Sequence, residues 1–137
     1  MKTPSFIKKP DLGLLILRVG LGIMFIVAHG LPKLLAGPER WTGVGGAMKR
    51  VGIEFAPALW GFLAGATELV GGILLILGVF VRPAAGGLVF VMVIATMTVL
   101  ARGEGLQGAN AQPLQVGVAC LALVFLGAGK YSLDRNG

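Results

Sequence analysis

Residues 55–81 read FAPALWGFLAGATELVGGILLILGVFV, and this stretch decides the fold. Its single ionisable residue is Glu68, which stands almost at the middle. A run of this length and apolarity is long enough to cross the hydrocarbon core of a bilayer, about 30 Å, as one α-helix. A carboxyl group at that depth costs about 2.5–3.5 kcal/mol on insertion scales. We therefore expect Glu68 to be protonated, paired or used in function.

The composition of the whole chain is that of an integral membrane protein. Of its 137 residues, 55% are hydrophobic and 13% are charged, and the mean hydropathy is +0.86. Soluble domains carry about 25% charged residues. The net charge is +6, but the basic residues lie between the apolar runs rather than in one stripe. That arrangement suits anionic head groups of a lipid bilayer, and we expect no nucleic-acid partner.

Four apolar runs follow one another along the chain and predict an all-α fold. We expect a single domain over residues 1–137, an integral membrane four-helix antiparallel bundle with both termini on one side. Pro57, Pro83 and Pro113 each begin a run, where the missing N–H of proline costs nothing. The predicted helices cover about residues 12–31, 57–80, 83–101 and 113–129.

Residues 32–56, between the first two predicted helices, are too polar to span the membrane. Apolar residues recur there at spacings of three and four, and these residues are Trp41, Val44, Met48, Val51 and Phe55. The spacing predicts a short amphipathic helix at the membrane surface. Nearby glycines weaken it, each by about 1 kcal/mol. Trp41 and Trp60 are typical of side chains that anchor helices at the membrane interface.

The distribution of positive charge predicts the orientation. On the side of the termini lie Lys2, Lys8, Lys9, Arg82, Lys130 and Arg135. On the other side lie Lys33, Arg40, Lys49, Arg50 and Arg102. By the positive-inside rule, this small excess places both termini in the cytoplasm.

Small residues mark the faces along which the helices associate, because close backbone contact drives helix association in lipid. On the second helix, Gly61, Gly65, Glu68 and Gly72 share one face. Glu68 therefore points towards protein, and a ligand bound beside it would lie against Gly65 and Gly72. The third helix has a similar face, made of Ala84, Gly87, Val91 and Ala95. Such faces serve packing within the chain or the pairing of two copies in a homo-oligomer.

One face of the first helix carries its ionisable groups. It is made of Arg18, Gly22, Phe25, His29 and, if the helix continues past Pro32, Lys33. At 1.5 Å per residue, Arg18 lies about 9 Å and Glu68 about 16–18 Å from the same membrane boundary. An arginine side chain spans that difference. We predict that Arg18 and Glu68 meet inside the bundle, within salt-bridge distance or one water apart.

This pair has two interpretations. It is a structural pair that fixes helix register, or it belongs to a polar pocket that binds a small molecule or passes a proton. In the second case Glu68 and Arg18 are the catalytic residues. The lone Cys120 forms no intramolecular disulfide, and the single His29 leaves no His and Cys set with zinc-ligand spacing. We expect no metal, and any redox cofactor to be a diffusible quinone or to belong to a partner.

Two segments resemble the DoxX family of small bacterial membrane proteins. They are LILRVGLGIMFIVAHGLPKLL (residues 15–35) and GATELVGGILLILGVFVRPAA (residues 65–85). The resemblance extends over about residues 12–128, and the residues that match the polar positions of the family are Arg18, His29, Gly30, Lys33 and Glu68. It implies a four-helix protein of the bacterial inner membrane, described as an oxidoreductase component that acts with a soluble or membrane partner.

Together these features favour a membrane component of a redox or detoxification system. We expect an intramembrane pocket, lined by Arg18, His29 and Glu68, that accepts a quinone or a similar small molecule. Further ligand contacts are expected from Lys33, Gly30, Gly65 and Gly72. Glu68 would take up the proton that accompanies quinone reduction. The alternatives are a small proton-coupled transporter, in which Glu68 exchanges protons for a substrate, and a membrane scaffold without a ligand.

Overall fold

The computed structural model describes residues 2–134, and the regular structure of this part of the chain is entirely helical. Four helical stretches are long and apolar enough to cross a membrane, and they are Pro10–Leu35, Pro57–Leu77, Val81–Ala101 and Gly108–Leu126. The predicted all-α membrane bundle is thus confirmed. The α-helices are α1 (Pro10–Met24), α2 (Leu31–Leu35), α3 (Pro38–Gly45), α4 (Pro57–Leu77), α5 (Val81–Ala101) and α6 (Gln112–Leu126).

The first membrane helix is longer than the sequence predicted, since it does not end at Leu31. α1 passes into a π-helical stretch, Phe25–Gly30, and then directly into α2. The wider π turn changes the hydrogen-bond register of the helix. Pro32 then lies in the first turn of α2, where a missing N–H is tolerated. The helix therefore continues past Pro32 and carries Lys33 with it.

Two of the other membrane helices end earlier than predicted, each at a glycine. α4 ends at Leu77 because Gly78 adopts a left-handed backbone with φ of 73°, and its N–H bonds to the Leu74 carbonyl at 2.9 Å. This is a common way to end a helix, because glycine takes a positive φ without strain. α6 ends at Leu126, before Gly127 with φ of 75°. The predicted ends at residues 80 and 129 were therefore too late.

The segment between the first two membrane helices packs against α4. It consists of α3 and a 3₁₀ turn, Gly46–Val51. A methyl group on Gly45 would lie 1.6 Å from the Pro57 carbonyl oxygen, and one on Gly61 would lie 1.7 Å from the Trp41 carbonyl oxygen. Gly45 would lower the stability of an isolated helix. Here, its lack of a side chain lets the backbones of α3 and α4 touch.

α1 and α4 also approach each other through glycine. A methyl group on Gly22 would lie 2.5 Å from the Gly72 carbonyl oxygen, and one on Gly72 would lie 2.7 Å from the Gly22 carbonyl oxygen. Further along, Gly30 lies against α4, where a methyl group would come within 2.6 Å of the Leu69 nitrogen. Such contacts supply the van der Waals packing that holds helices together in lipid.

The apolar core lies where the four membrane helices converge. Its fully buried apolar side chains include Phe25, Leu75, Leu88, Cys120 and Leu123. The Cys120 thiol is free and buried, so it occupies the place of a small core residue.

Both ends of the described chain lie at the same end of the bundle, as the four antiparallel passes predict. The Lys130 N–H donates to Asp11 Oδ1 at 3.0 Å, and the Leu133 N–H donates to the Leu77 carbonyl at 3.2 Å. Arg135, which contributed to the charge count, lies outside the described residues. The orientation of the bundle in the membrane stays a prediction.

The close contact of α3 with α4 gives a prediction for Gly61→Ala. The added methyl group has no space beside the Trp41 backbone, so we expect a loss of about 1–3 kcal/mol in the free energy of unfolding. The matched control is Gly86→Ala on α5, where a methyl group meets no atom of the described residues within 4 Å. It should be neutral or stabilising by up to about 1 kcal/mol. Denaturation in detergent followed by circular dichroism measures both, and equal stabilities would contradict the predicted contact.

Candidate functional site

Arg18 is fully buried at the carboxyl end of α4. Its Nη1 donates to the Leu75 carbonyl oxygen at 2.9 Å, and its Nη2 donates to the Tyr131 carbonyl oxygen. Gly78 leaves room for the guanidinium, because a methyl group there would lie 2.6 Å from Nη1. The last carbonyls of an α-helix lack partners within the helix, and the helix dipole favours a cation beside them. Arg18 therefore caps α4 and joins it to the C-terminal tail.

The predicted contact between Arg18 and Glu68 is wrong. No salt bridge within residues 2–134 joins them. Leu75, which holds Arg18, lies two turns beyond Glu68, about 10 Å along the axis of α4 at 1.5 Å per residue. The depth estimate had let the side chain extend towards the middle of the bilayer. The open carbonyls at the end of α4 hold it near the boundary instead.

Glu68 pairs with Lys33. Lys33 Nζ lies 2.7 Å from Glu68 Oε1, and the Glu68 side chain is fully buried whereas 18% of the Lys33 side chain is exposed. The second carboxylate oxygen, Oε2, has no hydrogen-bond partner in the part of the chain described. Leaving one member of a buried pair without the other costs about 3–5 kcal/mol. Lys33 therefore offsets much of the cost of burying Glu68.

Three features of the local structure hold Lys33 within reach of Glu68. The first is the continuation of the helix past Pro32. The second is Gly65, which lies one turn before Glu68, because a methyl group there would lie 3.1 Å from Leu34 Cδ2 and 3.3 Å from Lys33 Cβ. The third is the Trp41 indole N–H, which donates to the Lys33 carbonyl oxygen at 3.0 Å and joins α3 to α2.

A cavity of about 320 Å³, here called the central cavity, lies beside this ion pair between α4, α5 and the segment that contains α3. Lys33 is the charged side chain of its wall, and the polar atoms of Thr67 and Trp60 also belong to lining residues. The Thr67 hydroxyl donates to the Leu63 carbonyl at 2.7 Å, which leaves the rest of the wall mostly apolar. Sites for small molecules have volumes of about 300–1,000 Å³ and walls of this kind.

His29 lies outside the central cavity. It borders a smaller cleft of about 160 Å³ together with Lys33 and Arg40. Its Nε2 lies 3.3 Å from Nε2 of Gln112, the first residue of α6. Lys33 is a lining residue of both the central cavity and this cleft. No group of His, Cys, Asp or Glu side chains that could hold a metal ion lies within residues 2–134.

The predicted pocket lined by Arg18, His29 and Glu68 is therefore wrong, because the three side chains lie in three different places. Arg18 is at the end of α4, His29 is in the cleft, and Glu68 stands behind Lys33. Lys33 alone among the predicted residues lines the central cavity. The sequence placed it on the correct face of the first helix and among the ligand-binding residues, although the predicted helix ended at Leu31.

The three glycines predicted to lie against a ligand are in contact with protein. Gly30 lies against Leu69, Gly72 lies against Gly22, and Gly65 lies against Leu34 and Lys33. Their closeness to neighbouring atoms serves helix packing, and Gly65 in addition positions the ion pair. Ligand contact by these residues is untested, but the space beside each of them is filled.

Sequence reasoning missed the walls of the central cavity. Val91 and Ala95, on the small-residue face of α5, were assigned to helix packing but line the cavity. Ala84 and Gly87, on the same face, border a wider groove of about 530 Å³ between α4 and α5. A stripe of small residues is the same pattern whether a helix or a ligand fills the space, so the pattern alone did not reveal the cavity.

Comparisons with known proteins give one family match and one relative. The family model described as DoxX matches residues 13–101. An uncharacterized protein of Haemophilus influenzae is 36% identical over 125 residues, which covers 88% of this chain and 87% of that protein. No solved structure matches.

Double-mutant cycles distinguish the two charges of the first helix. Lys33→Met and Glu68→Gln should each lower the free energy of unfolding. The loss in the double variant should be smaller than the sum of the two single losses by about 0.5–3 kcal/mol, because the two residues are in contact. Arg18→Met with Glu68→Gln should be additive within about 0.5 kcal/mol, because these residues are far apart. Denaturation in detergent measures all five variants. Coupling of Glu68 to Arg18 rather than to Lys33 would contradict the assignment.

Proposed function

The chain belongs to the DoxX family, and we propose that it is the membrane component of a redox or detoxification system that binds a quinone or a similar small molecule within its bundle. The observation that carries the proposal is the central cavity of about 320 Å³ beside the Lys33–Glu68 pair. The proposal includes a bacterial inner membrane as the location, with both termini in the cytoplasm.

The lining of the central cavity fits the head of a quinone. A quinone head is a flat ring with carbonyl oxygens, so it needs apolar walls and a hydrogen-bond donor, and Lys33 is such a donor. Leu63 and Thr67 line both the central cavity and the wider groove between α4 and α5. A tail attached to the ring would leave through this groove and reach the lipid.

A bound quinone supplies redox chemistry in which two electrons and two protons convert it to a quinol. The Lys33 ammonium donates a hydrogen bond to a carbonyl oxygen of the ligand and holds a proton for that atom. Glu68 fixes the ammonium through the 2.7 Å contact and, with its unpartnered Oε2, is a second place for a proton. Lys33 also lines the cleft beside His29, so a proton lost from Lys33 is replaced from there.

The electrons come from a partner protein, soluble or membrane-bound. The chain has one cysteine, so it forms no internal disulfide that would relay two electrons. A pull-down in mild detergent, with the partner identified by mass spectrometry, names the donor. A partner that carries a flavin, haem or dithiol centre fits the proposal, and a set of partners without any redox centre contradicts it.

Filling the central cavity tests the proposal. Ala95 lies in the cavity wall, so Ala95→Phe should expel the ligand. Protein purified in mild detergent should carry a quinone that organic extraction and mass spectrometry detect, and Ala95→Phe should retain less than about a tenth of it, a loss of about 1.4 kcal/mol or more in binding free energy. The matched control is Val93→Phe on the same helix, because Val93 is 48% exposed on the surface of the bundle.

Val93→Phe should retain the quinone at the level of the unaltered protein. The proposal fails if the unaltered protein carries no quinone and takes none up from added quinone. It also fails if Ala95→Phe and Val93→Phe retain equal amounts, because the quinone would then be bound at the lipid surface rather than in the cavity.

A further inference from the structure

The cleft of about 160 Å³ beside His29, here called the basic cleft, has a wall that differs from the wall of the central cavity. Its lining residues are Ala28, His29, Pro32, Lys33, Ala36 and Arg40. Half of these residues have basic side chains, and none of them is acidic. Pockets for drug-sized molecules begin at about 300 Å³. The basic cleft is therefore suited to one compact charged group rather than to a ring system.

Arg40 gives the basic cleft its net positive charge. The Glu68 carboxylate lies 2.7 Å from Lys33 Nζ and compensates the charge of that lysine. His29 contacts the uncharged amide of Gln112. Arg40 is exposed, and no hydrogen bond or salt bridge within residues 2–134 holds its guanidinium. A guanidinium has five N–H donors and no acceptor, so that of Arg40 is open to an anion from outside the described chain.

The Arg40 side chain is free to turn its guanidinium over the basic cleft. It already belongs to the lining of the cleft, and it has no other bond within the described residues that such a rotation would break. Arginine pairs with phosphate through two parallel N–H···O bonds. A single phosphate group thus matches both the charge of Arg40 and the small size of the cleft.

The basic cleft lies at the boundary of the membrane. The first membrane helix ends at Leu35, and Arg40 follows in the first turn of α3. Beside the cleft, this helix carries a stripe of exposed apolar side chains at a spacing of four, and these are Val27, Leu31 and Leu35. Hydrocarbon chains of a lipid would lie along this stripe. Basic pockets at the membrane boundary are a known means of binding phosphate head groups.

We propose that the basic cleft is a binding site for one phosphate group and that the Arg40 guanidinium holds it. A phospholipid head group and a free phosphate ion share the chemistry that Arg40 recognises. The exposed stripe beside the cleft favours the lipid as the source. This site does not involve the central cavity, so it goes beyond the proposed function and does not rest on it.

Native mass spectrometry of the full chain in detergent, titrated with lipid, tests the site. Phosphatidylglycerol is the anionic probe, and phosphatidylcholine with the same acyl chains is the neutral comparison. Arg40→Gln should weaken phosphatidylglycerol binding about tenfold, because charge-assisted hydrogen bonds are lost. The matched control is Arg50→Gln, since Arg50 is exposed in the same interhelical segment and does not line the cleft. It should change binding less than about twofold.

A second pair of variants tests whether the phosphate lies in the cleft itself. Ala36 is an exposed residue of the cleft wall, so Ala36→Asp adds a negative charge there. Ala36→Asn has nearly the same size and no charge. Phosphatidylglycerol should bind about fivefold more weakly to Ala36→Asp than to Ala36→Asn, because like charges about 4 Å apart repel. Phosphatidylcholine should bind more weakly to the unaltered protein and respond less to every variant.

Inorganic phosphate, titrated calorimetrically into protein without anionic lipid, distinguishes the two sources. Phosphatidylglycerol binding that depends on Arg40 supports the site with a lipid as its ligand. Binding of inorganic phosphate alone, again dependent on Arg40, supports the site with a free ion as its ligand.

Three results would overturn the inference. Equal effects of Arg40→Gln and Arg50→Gln on both probes mean that binding follows the overall charge. Equal binding to Ala36→Asp and Ala36→Asn means that the phosphate lies outside the cleft. Failure of the unaltered protein to bind either probe means that the cleft is not a phosphate site.

Discussion

The structure depends on one constraint, which is that a carboxylate buried in an apolar bundle needs a cation beside it. Glu68 lies at the middle of α4, fully buried, and Lys33 meets it at 2.7 Å. For this contact the first helix has to continue past Pro32, and Gly65 has to let that helix approach closely. Trp41 then fixes α2 from the other side. The ion pair thereby links α2, α3 and α4 at the edge of the central cavity, and the proposed ligand chemistry begins at Lys33.

Arg18 and Lys33, the two cations of the first membrane helix, have different roles at two levels of α4. Lys33 compensates a charged side chain, whereas Arg18 satisfies backbone carbonyls left open where α4 ends at Gly78. A planar guanidinium with several donors suits two carbonyls on different segments, and a compact ammonium suits one carboxylate. This division assigns Arg18 to structure and leaves Lys33 and Glu68 for the proposed proton chemistry. It also explains how both cations are tolerated within apolar helices.

The sequence predicted the fold well because apolar length, proline position and glycine spacing are local properties. It predicted the site poorly because partners were sought among ionisable groups alone. Arg18 bonds to the main chain at Leu75, and no side-chain pattern reveals an open carbonyl. Lys33 was predicted to bind a ligand, but its contact with Glu68 requires the helix to continue past Pro32, and no sequence pattern indicated the π-helical stretch that precedes this proline. Ala95 lies on the small-residue face of α5, a pattern that predicts helix packing. Only the positions of the neighbouring helices show that Ala95 lines a cavity. The DoxX family matches over residues 13–101 and supports the fold more than any reaction.

The central claim is that Glu68 is an ionised carboxylate held by Lys33 inside the membrane. Infrared spectroscopy of the protein with isotope-labelled glutamate tests it, because a carboxylate and a carboxylic acid absorb in separate regions. The chain has four glutamates, and subtracting the spectrum of Glu68→Gln isolates the band of Glu68. We expect a carboxylate band in the unaltered protein and its conversion to a carboxylic acid band in Lys33→Met. A carboxylic acid band in the unaltered protein, or a carboxylate band that survives Lys33→Met and disappears in Arg18→Met, would contradict it.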